Sequence, residues 1–174
     1  MSFYTNVHRL GNNILFRGIS NDGQRFKDRV EYKPTIDYRD NVNDINKFQF
    51  IHRFYFNAAP HSPLLPPISQ ILKIIDPIAL WRIKANLLTK TPNIVENQFH
   101  VDIGNLENSP EKLKQWTTSI FYINTNNGYT ELEDGTKVES IANRMVTFPS
   151  NINHRGTSCT DEKTRVIINF NYFK

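Results

Sequence analysis

Residues 116–124 read Trp116-Thr117-Thr118-Ser119-Ile120-Phe121-Tyr122-Ile123-Asn124, and this run decides the architecture. Its β-branched and aromatic residues suit a pleated, half-buried surface, so the run predicts a strong strand. Toward the C-terminus, Tyr129-Thr130-Glu131-Leu132 and Lys137-Val138-Glu139-Ser140 flank Asp134-Gly135, the signal of a hairpin turn. Residues 143–148 form a further strand, stopped by Pro149, and residues 164–173 close the sheet. Toward the N-terminus, residues 78–88 alternate from Trp81 onward. Arg82, Lys84 and Asn86 fall on one face, with Trp81, Ile83, Ala85 and Leu87 on the other. Residues 48–56 have the same strand-like content. Helix is scarce. Ile68, Ile71, Leu72 and Ile75 fall at i, i+3, i+4 and i+7 after Pro66-Pro67, and Asp76-Pro77 ends that helix. Ser109 caps a short turn with Pro110 at its first position. Many short strands at intervals of about 8–12 residues predict a mainly β sandwich or jelly roll.

With 174 residues the chain is long enough for one domain with a proper core. Hydrophobic and charged shares of 39% and 22% are those of a globular rather than a disordered chain. No apolar run approaches the roughly 20 residues that cross a bilayer. Met1-Ser2-Phe3-Tyr4-Thr5-Asn6 shows neither a basic nor an apolar signal region. A single cysteine, Cys159, excludes an internal disulfide and suits a reducing cytoplasm. The net charge of +4 is spread without a basic run, so nucleic acid is permitted but unsupported. Asparagine is abundant, which suits an AT-rich genome as well as any chemistry. Residues 12–30 read as a hairpin, with 14–19 and 24–30 flanking Asn21-Asp22-Gly23. The polar stretch 37–44 reads as a linker. A boundary near 45 therefore divides an N-terminal segment, 1–44, from a β domain, 45–174.

The chemistry is concentrated in Phe99-His100-Val101-Asp102 and His154-Arg155-Gly156. Read as a strand, the first stretch turns His100 and Asp102 to one side, where an imidazole and a carboxylate converge on one ion. His154 would complete two histidines and one carboxylate, with the other coordination positions left open. That is the ligand set of non-haem Fe(II) oxygenases. Two residues apart is a common spacing, so the reading needs its surroundings.

Those surroundings supply them. His100-Val101-Asp102, Thr118-Ser119-Ile120-Phe121-Tyr122-Ile123-Asn124, Gly128-Tyr129-Thr130, Glu133-Asp134-Gly135, residues 143–148, His154-Arg155-Gly156 and Arg165 stand in a telling order and spacing. From about residue 48 to 173 the chain resembles the 2-oxoglutarate-dependent Fe(II) oxygenases, in particular small prolyl-hydroxylase-like members found in phage genomes. The resemblance implies a double-stranded β-helix (a cupin-like jelly roll) with iron at its open end. It implies Fe(II) on the catalytic ligands His100, Asp102 and His154, with 2-oxoglutarate and O2 as cosubstrates. Arg165 would grip the distal carboxylate of 2-oxoglutarate as a two-pronged donor. Tyr122 and Asn86 would contact the same cosubstrate, although Tyr122 also reads as a core tyrosine. One departure is Ile167, where many relatives carry a hydroxyl. Arg155 would contact the substrate, for which a protein or peptide side chain, prolyl by analogy, is the family's favourite.

A second resemblance covers the first 35 to 39 residues. Phe3-Tyr4-Thr5-Asn6-Val7, Gly11-Asn12-Asn13-Ile14, Asp22-Gly23 and Val30-Glu31-Tyr32-Lys33-Pro34-Thr35 are similar to the extreme N-terminus of B-family DNA polymerases of T4-type bacteriophages. No aspartate-rich polymerase motif follows, so the likeness implies phage origin and a rearranged gene rather than polymerase activity. Rival readings are a Zn-dependent hydrolase on the same ligands, a non-enzymatic jelly roll, and a polymerase-related fusion fragment. Cys159 lacks a third group to make a nucleophile pair with His154, and His8, His52 and His61 lack ligand spacing. Arg82, Lys84 and Arg144 read as a solvated sheet face or, alternatively, as the lining of a substrate mouth.

Overall fold

A computed structural model describes residues 3–6, 30–34 and 48–174, with side chains from residue 48 onward apart from Asn105. The hairpin expected over residues 12–30 lies outside these residues except for Val30, as does His8. The strands are β1 (Phe3–Asn6), β2 (Val30–Pro34), β3 (Phe48–Phe56), β4 (Ala59–Pro60), β5 (Ala79–Thr89), β6 (Trp116–Tyr122), β7 (Tyr129–Leu132), β8 (Lys137–Glu139), β9 (Arg144–Pro149), β10 (His154–Gly156) and β11 (Thr164–Phe173). Between them lie helices α1 (Leu65–Ile75) and α2 (Pro110–Leu113) and a 3-10 turn, Gly104–Leu106.

The large antiparallel sheet runs β1-β9-β6-β11-β5-β3-β2, with β4 beside β3; the small sheet runs β10-β7-β8. Strand β11 is central, pairing with β5 on one side and β6 on the other. Its side chains are buried on both faces, although Arg165, Asn169 and Asn171 alternate with apolar residues along it. Ile168, Phe170 and Tyr172 point to one side. There they pack with Phe54, Ile83, Phe121 and Met145 under Ile68, Ile71 and Ile75 of α1. Ile167 points to the other, into a second core of Ile120, Tyr122, Val146 and Phe148 that is closed by Leu132 and Val138 of the small sheet. The fold is a mainly β double-stranded β-helix: two sheets enclose one interior, and a helix covers the large sheet's outer face.

Local chemistry sets the ends of the elements. Helix α1 begins with prolines in its first turn and stops at Asp76, whose φ of 46° is left-handed and whose N–H bonds to Leu72 O. It starts earlier than the expected residue 68, because Leu64 and Leu65 also pack on the core. Gly135, at φ 85°, makes the β7–β8 turn. Two expectations are corrected. Ser109 occupies the N-cap position of α2 but makes no side-chain capping bond. Residues 99–102 are not a strand: His100 makes one isolated antiparallel bridge, to His154, and Asp102 lies in a bend. The bridge across the interior sets His100 beside His154, and a bend rather than strand alternation turns Asp102 toward them. Among the described residues no helix is long and apolar enough to cross a membrane.

Candidate metal centre

The bridge between His100 and His154 is two-way, each N–H donating to the other's carbonyl at 3.0 Å. It sets the two imidazoles 4.8 Å apart, centre to centre. Asp102 closes the triangle. Its Oδ1 lies 3.9 Å from His100 Nε2 and its Oδ2 4.0 Å from His154 Nε2. One ligand atom from each residue lies within 4.8 Å of the others, a spread that one ion at about 2.0–2.2 Å from each ligand can span.

The imidazoles present the correct nitrogen. His100 Nδ1 is 3.0 Å from Gln98 O, and His154 Nδ1 is 3.4 Å from Ile152 O. A carbonyl only accepts, so the proton sits on Nδ1 and Nε2 keeps its lone pair. His154 is buried, and its Nε2 has no partner. Burial, partly countered by Asp102 and reinforced by His100, pushes its pKa down to about 4. At neutral pH it is therefore an uncharged ligand. His100 is half exposed and marks the open side. Burial pushes the Asp102 carboxyl up, but Arg82, His154, Lys84 and His100 together outweigh it and hold the group well below the usual carboxylate range. It is ionised and able to ligate.

Arg165 is fully buried. Its Nε donates to Ser140 Oγ at 2.8 Å and its Nη2 to Thr130 Oγ1 at 3.1 Å, while Nη1 has no partner. Among the described residues no carboxylate pairs with it. Burial pushes its pKa down, against Tyr122 and Cys159. Two glycines make room for it. A Cβ on Gly128 would stand 2.6 Å from Arg165 Cδ, and one on Gly156 would stand 3.3 Å from Nη1. Gly156 is two residues from His154 on β10, so the unpaired Nη1 and the unpaired Nε2 lie on the same side of that strand. A buried cation with one free prong is costly unless an anion meets it. Arg165 and His154 thus fit a dianionic cosubstrate bound between them and a metal ion.

The remaining expected residues are placed as follows. Tyr122 is fully buried, its ring centre 5.8 Å from the Arg165 guanidinium and its hydroxyl 3.5 Å from Val138 O. Asn86 is buried with an unpartnered Oδ1, opposite Ile167 in the β5–β11 register. Ile167 is packed in the interior core, and hydroxyls from Thr130 and Ser140 attend Arg165 instead. Arg155 is held by Glu96 and Glu131, each at 2.7 Å, and stacks over Phe99, so its charge is already matched. Cys159 is buried, with burial pushing its thiol up. His52 bonds to Ser62 and His61 to Phe56 O.

Asn169 and Asn171 at the centre were not identified from sequence, and Arg82 was read there only as part of a solvated sheet face or of a substrate mouth. Arg82 belongs to no solvated face: its Nη2 lies 2.7 Å from Asp102 Oδ1. Asn171 Nδ2 and Asn169 Nδ2 donate to Asp102 Oδ2 at 3.0 and 3.3 Å. The available signal was their spacing, since Arg165, Ile167, Asn169 and Asn171 share one face of a strand whose other face is apolar. Arg144 bonds to Glu139, while Lys84 lies beside Asn169 in the sheet.

No protein-family model matches the sequence, and no curated protein matches it. Solved structures do match in fold. A prolyl hydroxylase from Trichoplax adhaerens, in complex with a peptide fragment of a hypoxia-inducible factor oxygen degradation domain, is 14% identical, with a TM-score of 0.65 over 99% of this chain and 83% of that one. The non-heme alpha-ketoglutarate-dependent epimerase SnoN from nogalamycin biosynthesis is 12% identical, with a TM-score of 0.66 over 99% and 76%. A 2OG-Fe(II) oxygenase family oxidoreductase from Burkholderia pseudomallei is 12% identical, with a TM-score of 0.58 over 88% and 79%. At such identities the likeness establishes the shared fold. Because it spans a hydroxylase and an epimerase, the reaction has to be argued from the site.

Proposed function

We propose that this protein is an Fe(II)- and 2-oxoglutarate-dependent dioxygenase. The observation that carries the reading is the pair of unpartnered buried atoms, His154 Nε2 and Arg165 Nη1, on one side of β10. His100, Asp102 and His154 would hold Fe(II) by one face, leaving positions for a chelating 2-oxo acid and O2. Bound together, these groups supply the decarboxylation of 2-oxoglutarate to succinate and CO2 coupled to insertion of the second oxygen atom into a substrate C–H bond. Arg165 binds the distal carboxylate, with Tyr122 beside it and Asn86 contributing a polar wall. Arg82, Asn169 and Asn171 keep Asp102 in place, and Phe148, packed against His154 at 5.0 Å between ring centres, keeps water from its inner side.

A protein or peptide side chain is the favoured substrate class, supported by the Trichoplax neighbour's bound peptide and by the sequence resemblance. That resemblance also supports a phage protein acting in a bacterial cytoplasm. A zinc hydrolase could use the same three ligands, but it would leave the free prong of Arg165 without a use.

The test is an anaerobic titration of the metal-free protein with Fe(II) and 2-oxoglutarate, monitored by visible absorption. The metal-to-ligand charge-transfer band of a chelated 2-oxo acid is expected for the wild type. It should vanish in His154→Ala and need at least tenfold more 2-oxoglutarate in Arg165→Ala. A folded, iron-loaded protein without the band would overturn the reading.

A further inference from the structure

Asp102 stands in a ring of three groups joined by two hydrogen bonds and one ion pair. Arg82 Nε donates to Asn171 Oδ1 at 2.9 Å, Asn171 Nδ2 donates to Asp102 Oδ2 at 3.0 Å, and Asp102 Oδ1 meets Arg82 Nη2 at 2.7 Å. The ring admits only one orientation of Asn171. Turned over, its amide would face the Arg82 N–H, and its oxygen would face the carboxylate. The second amide hydrogen of Asn171 goes to Thr118 Oγ1 at 3.1 Å, itself 2.8 Å from Ser150 Oγ. Strand register builds this arrangement, since Arg82 and Thr118 flank Asn171 in neighbouring strands.

Counting lone pairs gives the consequence. A carboxylate offers about four acceptor positions, two on each oxygen. On Oδ2, Asn169 and Asn171 take two, whereas Arg82 Nη2 faces Oδ1 at 2.7 Å as an ion pair and fills no acceptor position there by a hydrogen bond. The open positions are on Oδ1. We infer that Arg82 and Asn171 are positioning residues that restrict Asp102 to a single metal-binding oxygen, Oδ1: Arg82 Nε fixes the amide of Asn171, whose Nδ2 closes Oδ2 together with Asn169. The inference rests on the metal centre proposed above. A carboxylate that chelated through both oxygens would occupy an extra coordination position, and a six-coordinate ion would then lack room for both a chelating 2-oxo acid and O2. The ring keeps that position open by placing donors where the second oxygen would otherwise swing in.

The experiment uses the full chain and Co(II) as the probe, with binding read by calorimetry and coordination by the visible d–d spectrum. Arg82→Met and the shape-conserving Asn171→Leu are each expected to raise the Co(II) Kd about 10–100-fold, the range typical for residues that orient metal ligands. Each should also alter the spectrum. Because both act through one ring, the double variant should be little worse than either single one. Arg82→Lys, which can still meet Oδ1 but cannot also donate through Nε, should recover part of the affinity. Circular dichroism establishes folding; if Asn171→Leu does not fold, the Met and Lys variants at 82 decide alone. Wild-type affinity and spectrum in the variants would overturn the inference. So would tighter binding by Arg82→Met, which would make Arg82 a competitor for Oδ1. Failure of the wild type to bind Co(II) would instead remove the metal centre itself, and the inference with it.

Discussion

His154 shows how one residue ties stability to chemistry. Burial, with Asp102 opposing and His100 assisting, lowers its pKa to about 4 in the folded state, against about 6.5 in an unfolded chain. Below pH 6.5 the unfolded state takes up a proton that the native state refuses. Stability is therefore complete above that pH and is lost as pH falls toward the folded value. One pH unit is worth about 1.4 kcal/mol, so a fall from pH 6.5 to 4.5 should cost the metal-free protein roughly 2–3 kcal/mol through this group alone. Urea midpoints measured with a chelator present should decline across this window in the wild type. The decline should flatten in His154→Gln, which has nothing to titrate there; an equal slope in both would exclude His154 as the cause. The same property, a buried neutral imidazole with a free Nε2, is what a metal requires.

At the scale of elements, the large sheet separates two tasks. Its outer face packs on α1 through Ile68, Ile71 and Ile75, and its inner face carries Arg165, Asn169, Asn171, Asn86 and Arg82. A one-residue slip of β11 would exchange the two sets, putting an arginine and two asparagines under an apolar helix, so register here is strongly specified. Because the helix touches only the outer face, truncating it should affect stability alone. Ile71→Ala, at a fully buried site, should cost about 2–5 kcal/mol by urea denaturation and leave the Co(II) Kd within about twofold of wild type. A tenfold loss of metal affinity would show that the two faces are coupled.

For the whole molecule, Arg165 makes the metal-free fold carry a destabilising group that the proposed cosubstrate would offset. It is buried with no carboxylate partner among the described residues, and the hydroxyls of Ser140 and Thr130 compensate only in part. Arg165→Met should therefore stabilise the ligand-free protein, by on the order of 1 kcal/mol, a rise in Tm of about 2–4 °C for a chain of this length. Ligand linkage should run the opposite way. With metal present, 2-oxoglutarate at about a hundred times its Kd should stabilise the wild type by about 2.7 kcal/mol and the variant negligibly. Thermal melts with and without 2-oxoglutarate would check both signs. A variant that melts lower, or still responds to 2-oxoglutarate, would contradict this account of Arg165.

Strand content, the α1 stripe, the Asp134-Gly135 turn and the helix stop at Asp76 were all legible in the sequence, because each depends on side-chain period or turn chemistry among neighbours. Residues 48–56 and 164–173 were bounded as the structure bounds them, since runs of β-branched and aromatic residues end there abruptly. His100, Asp102, His154 and Arg165 were legible as residue types in order. Only the tertiary structure decided how they meet. His100 reaches His154 through a single bridge across the interior, and Asp102 joins them from a bend, not along a strand; no local pattern encodes the pairing of His100 with a residue so distant in sequence. Asn169 and Asn171 passed as compositional bias, and Arg82 as a solvated sheet face or a substrate-mouth lining, because a polar residue on a strand is read as solvent-facing until another segment covers it. The segment that carries Asp102 supplies that cover, and its carboxylate makes three ordinary polar residues the holders of a candidate metal ligand.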